Sequence, residues 1–342
     1  MLYRILFVLA LIFTLGLSSI SFAQETASPT PAPSKTSSPT AIDTASSELE
    51  IATATPRQST KLPRSYTQED LSVLVGNVQR PNGIVYYDNY LFSACNGDWT
   101  LYQIDSTTGE TITFVQNVRN VHQMVIEGTE AGFNLWIPDF DTNQLIYVNQ
   151  DRGFPRVVAR NKLDGPWGIA TLDDDKFLIS NVRANNLIIA DREGTVSVAV
   201  EGLRSPVGLV VDGEYVYVAN NGSARRAIEW FSIENLAIDD EGTIEVVTDI
   251  TQPLVSGLQN ASNVVLADDG YLYFSYALGT RGVVGRVNPE TCRDGGCNNE
   301  DVEIVVFTEL PAPLAGLTIT PDMRLFVHTI YRPEIYWVNL YE

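Results

Sequence analysis

SPVGLVVDGEYVYVANNGS, residues 205–223, sets a pattern from which the fold follows. A proline turn leads into a glycine and a β-branched apolar run. Asp212 and Gly213 supply a turn, a second run (YVYVAN) alternates, and Asn221, Gly222 and Ser223 close it. Short alternating runs between Gly, Asp and Asn read as strands joined by tight turns. The pattern recurs in RPNGIVYYDNYLFSACNGD (80–98), VHQMVIEGTEAGFNLWIPDFD (121–141) and GPWGIATLDDDKFLISNVRA (165–184). It returns in ASNVVLADDGYLYFSYALG (261–279) and PLAGLTITPDMRLFVHTIY (313–331). The aligned inner-strand anchors are Gly83, Met124, Gly168, Gly208, Val264 and Gly316. No segment has the period of a long amphipathic helix.

Four short strands in about forty residues make one propeller blade. A blade has two apolar faces and buries them only against its neighbours, so the ring must close. The sixth unit has three strands, LTIT, RLFVHTI and EIYWVNL, and its missing outer strand is expected from LSVLVGNV at 71–78. That pairing removes two open sheet edges. The expectation is therefore an all-β, six-bladed β-propeller over residues 66–342, closed by an N-terminal strand that completes the last blade. The motifs PNGIV, PWGIA, PVGLV and LAGLT resemble the NHL repeat and, more loosely, the SMP-30/gluconolactonase family of six-bladed propellers. The resemblance covers about residues 70–342 and implies architecture. Such repeats occur in enzymes, sensors and scaffolds, so it leaves activity open.

Residues 1–23 read as a signal peptide. Arg4 precedes an apolar run from Ile5 to Leu17, and Ser21-Phe22-Ala23 fits cleavage near Ala23. The run is short for a membrane span of about 20 residues, so no membrane insertion of the mature chain is expected. Residues 24–65, rich in Ser, Thr, Ala and Pro, read as a disordered linker. The implied location is secreted, periplasmic or at the cell surface. The net charge is −20, and the linker's charges cancel, so the excess acid belongs to the propeller. This argues against a nucleic-acid partner, which needs clustered Lys and Arg. It reads as solubility, or as a sign of a cationic ligand.

In a blade, the loop before strand one and the loop after strand two share a rim, and the acidic hairpins lie on the other face. The first set brings Asn82, His122, Gln123, Trp167, Val207, Asn263 and Ala315 to the rim. The second brings Asn96, Asp139, Asn181, Asn220, His328, Tyr331 and Arg332. A polar, aromatic mouth opposite plain turns is where a ligand would sit. His122 and His328 are the candidate catalytic bases, with Asp139 nearby. The overlong fourth unit adds Arg225, Arg226 and Trp230 in what is expected to be a rim loop suited to carboxylates.

The SMP-30 resemblance implies a divalent cation at positions just before the inner-strand glycine. Here those read Asn82, Gln123, Trp167, Val207, Asn263 and Ala315, with no carboxylate, an incomplete set for a hard cation. Cys292 and Cys297, in TCRDGGCNNE, suit a local disulfide in an exported protein, and Cys95 is left as a buried small hydrophobe. The function expected is an extracellular ligand- or protein-binding or scaffold module, monomeric, acting through the rim on a small polar ligand or an extracellular protein. The alternative is an SMP-30-like hydrolase (lactonase) or lyase for a small polar substrate.

Overall fold

The structure is a computed structural model that describes residues 61–342 apart from 152. The proposed signal peptide and most of the proposed linker lie outside the described residues. Six antiparallel sheets follow one another along the chain. Blade 1 holds Pro81–Tyr87, Tyr90–Cys95, Thr100–Asp105 and Thr111–Gln116. Blade 2 holds Val125–Thr129, Gly132–Asp139, Gln144–Asn149 and Arg156–Ala159. Blade 3 holds Pro166–Thr171, Lys176–Asn181, Asn186–Asp191 and Val196–Glu201. Blade 4 holds Pro206–Asp212, Tyr215–Asn220, Ile228–Ser232 and Gln252–Ser256. Blade 5 holds Val264–Leu266, Leu272–Leu278, Arg281–Val287 and Glu303–Pro311. Blade 6 holds Gly316–Ile319, Arg324–His328 and Ile335–Asn339. The hairpins follow local chemistry: Asp88 and Asn89, both at positive φ (44° and 67°), make the two-residue turn of blade 1.

The ring closes as expected. Ser72–Val75 pairs antiparallel with Ile335–Asn339, Ser72 opposite Trp337 and Val73 opposite Tyr336. The core gives a second proof. Six blades in an open crescent would have five interfaces, but there are six apolar clusters, one for each neighbouring pair. The sixth joins Phe326 and Ile335 of blade 6 to Ile84, Leu91 and Ile104 of blade 1, with Val75 and Val78 between them. Single strands serve two clusters: in Lys176–Asn181, Phe177 and Ile179 face blade 2 while Leu178 faces blade 4. The period of two divides one apolar run between two cores.

Three features were not foreseen. The folded part starts before residue 66, because Leu62 is buried between blades 5 and 6. Blades 3, 4 and 5 each carry a fifth, parallel strand: Val247–Thr248, Cys297–Asn298 and Tyr66–Thr67 respectively. Each comes from the residues just before the outer strand of the following blade. Finally, the extra length of the fourth and fifth units lies between strands three and four. It therefore stands on the face of the acidic hairpins and not on the rim. It holds the small hairpin of Ala237–Ile238 and Ile244–Glu245 and the helix Pro289–Gly295, with the Cys292–Cys297 disulfide formed. Trp230, expected in a rim loop, sits in strand three of blade 4 against Tyr215.

Candidate functional site

Backbone hydrogen bonds knit the two loop sets into one face. Asn96 N donates to Arg80 O (3.2 Å), Phe140 N to Asn120 O (2.8 Å), Arg183 N to Asp164 O (3.2 Å) and Asn221 N to Ser205 O (3.1 Å). The shared rim inferred from topology exists.

Three of the expected ligand residues hold that rim together. Asp139, Asn181 and Asn220 each end strand two of their blade and are buried. Each accepts from a backbone N–H of the preceding loop: Asp139 from Arg119 (3.0 Å), Asn181 from Asp164 (3.1 Å) and Asn220 from Arg204 (3.2 Å). Asp139 also accepts from the N–H groups of Asp141 and Thr142. The Asn181 amide donates to Lys162 O and Asn186 Oδ1, and the Asn220 amide to Arg226 O and Glu229 Oε2. A buried loop N–H left without a partner is costly, and a short acceptor repeated from blade to blade prevents that. In blade 1 the place belongs to Cys95, whose thiol burial pushes up to about 12. Asn96 follows it, with its own Oδ1 buried and without a hydrogen-bond partner.

The inner-strand register corrects the sequence alignment in two blades. Gly168 N donates to Ser180 Oγ (2.8 Å), and Asn263 N donates in the same way to Ser275 Oγ (3.2 Å). Asn263, not Val264, therefore stands level with Gly168. In blade 2, Val125 faces Trp136, which brings Gln123 level with Pro138, directly before Asp139. The glycine layer thus reads Gly83, Gln123, Gly168, Gly208, Asn263 and Gly316. The layer above it reads Asn82, His122, Trp167, Val207, Ser262 and Ala315. A one-residue slip turns a strand side chain to the other side, and blades 2 and 5 lack the glycine that would have fixed the frame.

The side-chain amides of both layers have partners. Gln123 Nε2 donates to Leu209 O (2.7 Å) and its Oε1 accepts from Leu209 N (3.1 Å), reaching past blade 3 to the bare inner edge of blade 4. The Asn263 amide donates to Ser275 Oγ, Leu314 O and Ala315 O, and Asn82 donates to Asn120 Oδ1 (2.7 Å). A hard cation needs several free oxygens and a negative charge. This set, amides tied to backbone with no carboxylate among them, does not fit one. Below it the axial cavity is about 180 Å³, lined by His122, Gln123, Asn263 and Thr318 with Ile84, Met124, Val210 and Leu317. Sites for drug-sized ligands run from about 300 Å³ upward.

The two histidines occupy different seams. The His122 ring stacks on Trp167 (centroids 3.2 Å apart, planes 5° from parallel) between blades 2 and 3, and Phe140 meets both edge-on. Arg183 covers Phe140, its Cζ 4.2 Å from the ring centre. His122 Nδ1 and Trp167 Nε1 are buried without hydrogen-bond partners. His328 is not at the mouth. It is fully buried opposite Gly316, where an added Cβ would lie 2.2 Å from its Nε2, with Ile84 of blade 1 beyond. Burial lowers both imidazoles to about 3, and in His328 the backbone of Pro81 opposes the shift.

That shift has a testable sign. The unfolded His328 takes a proton near 6.5 and the folded ring only near 3, so the unfolded state binds more protons in between. Stability is then lost as pH falls through that window, by about 1.4 kcal/mol per pH unit for one such group. The His328→Leu variant is expected to show a shallower loss from pH 6.5 to 4 in urea titrations. Equal slopes would contradict the assignment.

Other expected site residues are exposed. Tyr331 (62% exposed) and Arg332 stand on the blade 6 loop, and Arg225 on the short turn Ala224–Arg226. Arg226 beside it is held by Glu229 and Thr251. Trp99, in the loop after strand two of blade 1, also stands on the rim, 48% exposed with Arg119 stacked on it at 4.8 Å.

No known protein family matches the sequence, and no curated protein does. Solved structures with the same architecture do. A gluconolactonase from Xanthomonas campestris aligns with a TM-score of 0.60 at 13% identity, covering 79% of this chain and 89% of that one. A streptogramin B lyase gives 0.53 at 12%, covering 79% and 97%. Nidogen, in its complex with laminin, gives 0.50 at 14%, covering 67% and 84%. The fold is the six-bladed β-propeller that these proteins share. At these identities the likeness extends to the propeller fold alone, and that fold serves a gluconolactonase, a lyase and a laminin-bound nidogen alike.

Proposed function

We propose that this propeller is an exported binding module that presents its rim loops to a small polar ligand or an extracellular protein. The observation that carries the reading is a division of labour among the rim residues. The buried Asp139, Asn181 and Asn220 fix the loops, while Trp99, Arg225, Tyr331 and Arg332 stand exposed above them. Exposed residues on rigidly held loops are where recognition concentrates, and Trp, Tyr and Arg are the side chains that dominate interfaces. The small axial cavity supports a surface mode of binding. Export is supported by the signal-like segment and by the disulfide. No helix among the described residues is long and apolar enough to cross a membrane.

A hydrolase or lyase reading has one observation in its favour, the unpartnered His122 Nδ1 beside the cavity. Two variants separate the readings. In the binding reading, a Trp99→Ala/Tyr331→Ala/Arg332→Ala chain loses a component of cell-envelope extract that the wild type retains, and His122→Ala keeps it. Turnover of a lactone panel that His122→Ala abolishes and the triple variant leaves intact would overturn it.

A further inference from the structure

The net charge of −20 conceals a face of opposite sign. The rim loops carry Arg80, Arg119, Arg183, Arg204, Arg225 and Arg332, all exposed, drawn from every blade except blade 5. Among the described residues, none of these but Arg183 has a carboxylate within 4 Å, and Arg183 has Asp164 only at 3.9 Å. Of the acids on the same loops, Asp98 and Asp141 are engaged locally, Asp164 lies beside Arg183, and Glu334 has its Oε2 buried without a hydrogen-bond partner. Asp98 accepts from Thr100 N and from the Tyr102 hydroxyl, and Asp141 from the Asn120 amide. The opposite face carries exposed acidic runs, Asp173 to Asp175, Asp239 to Glu241, and Glu300 with Asp301.

Resting on the binding-module reading, we propose that the rim face receives an acidic protein surface, one displaying Asp and Glu carboxylates. Three arguments lead there. The first is screening. A six-residue strand spans about 20 Å, while the Debye length at physiological salt is about 8 Å. A partner at the rim therefore feels the local arginines and little of the acidic face behind them.

The second is the choice of cation. These positions hold Arg, with Lys162 the one lysine among the rim loops. Arg meets carboxylates with a planar fork and is enriched in protein interfaces, where Lys is depleted. The third is preorganisation. Arg119 lies over Trp99 and Arg183 over Phe140, which holds two guanidinium planes in place, and Trp99 and Tyr331 add exposed aromatic area beside them. The sign is the reverse of the cationic ligand that the composition suggested.

The test uses labelled poly-L-glutamate and fluorescence anisotropy with the purified chain. Wild type is expected to bind saturably, and more weakly as salt rises from about 0.1 to 0.5 M. Arg80→Glu/Arg204→Glu/Arg332→Glu should weaken binding by about tenfold or more. Asp174→Lys/Asp240→Lys/Glu300→Lys on the other face should change it less than about twofold, because screening isolates the faces. Thermal melts confirm that both variants are folded.

No saturable binding by the wild type would overturn the proposal, as would equal effects of the two triple variants. Preference for polygalacturonate or heparin over polyglutamate would also overturn it by pointing to a polysaccharide. So would self-association abolished by the rim substitutions, which would make the acidic surface the molecule's own. If polyglutamate fails while Trp99→Ala/Tyr331→Ala/Arg332→Ala still loses its envelope component, the acidic partner falls and the binding module stands.

Discussion

A chain shortened to begin at residue 77 is expected to lose its cooperative melt and to aggregate, whereas one beginning at residue 61 keeps both melt and solubility. The shorter chain lacks the outer strand Ser72–Val75 of blade 6 and the strand Tyr66–Thr67 that edges blade 5. Tyr66 is buried, and its hydroxyl donates to Leu340 O at 2.8 Å, tying this segment to the other end of the chain. Leu62 and Val75 are buried with it. Removing a buried aromatic costs about 3–5 kcal/mol, and each buried aliphatic adds about 1.5–3 kcal/mol. Together these approach the whole stability of a folded protein, about 5–15 kcal/mol. The loss also uncovers the backbone edges of Ile335–Asn339 and Glu303–Pro311, with Phe307 already 39% exposed, and open edges invite pairing between chains. Tyr66→Ala alone should lower stability by about 3–5 kcal/mol. Circular dichroism melts and size-exclusion chromatography decide the matter. A chain from residue 77 that melts cooperatively near the longer one would mean that the ring closes without its N-terminal clasp.

That clasp was legible because a missing strand is a matter of counting, and the period of two in LSVLVGNV matched the vacancy. The shared rim was legible for the same reason, since antiparallel topology alone decides which loops meet. The side-chain roles were not. Asp139, Asn181 and Asn220 look alike in sequence whether they grip a ligand or the preceding loop, and only the acceptor distance to a backbone N–H separates the two. His328 sits in an apolar run (RLFVHTI) beside a glycine that makes room for its ring, a relation across strands that spacing does not encode. The rim arginines left a trace in the sequence. RPNG, VRNV and LRSP place Arg80, Arg119 and Arg204 three or four residues ahead of the inner-strand positions Gly83, Gln123 and Gly208. A whole-domain charge averaged that trace away, because the acids that outweigh these arginines lie on the other face.

Arg286→Ala is expected to cost about 3–5 kcal/mol, as much as an aromatic core deletion, because it strands a carboxylate in the interior. Arg286 lies in strand three of blade 5 and is fully buried, in a run (GVVGRV) that otherwise serves the core. Its Nη1 donates to Asp269 Oδ2 (2.9 Å), to the Tyr273 hydroxyl (3.0 Å) and to the Tyr341 hydroxyl (2.9 Å). Its Nε donates to Glu303 Oε2 (2.8 Å), and Tyr271 lies under the guanidinium at 4.0 Å. The Tyr273 and Tyr341 hydroxyls in turn donate to Asp269 Oδ2 at 2.7 and 2.9 Å. Burial, reinforced in Tyr273 by the bond to Asp269, raises both phenols and keeps them protonated as donors. One side chain thus joins strands two, three and four of blade 5 to the end of the chain. Without Arg286 the buried Asp269 keeps two phenol donors but no cation, while Glu303, 39% exposed at its side chain, can be hydrated. The asymmetry makes a double variant informative. Arg286→Met/Asp269→Leu removes both charges, and replacing a buried pair by apolar groups is often close to neutral. It is therefore expected to be more stable than either single variant in urea unfolding. A double variant at least as unstable as the sum of its parts would show that Asp269 is held by its tyrosines alone, and that Arg286 matters to the fold through packing and not through its charge.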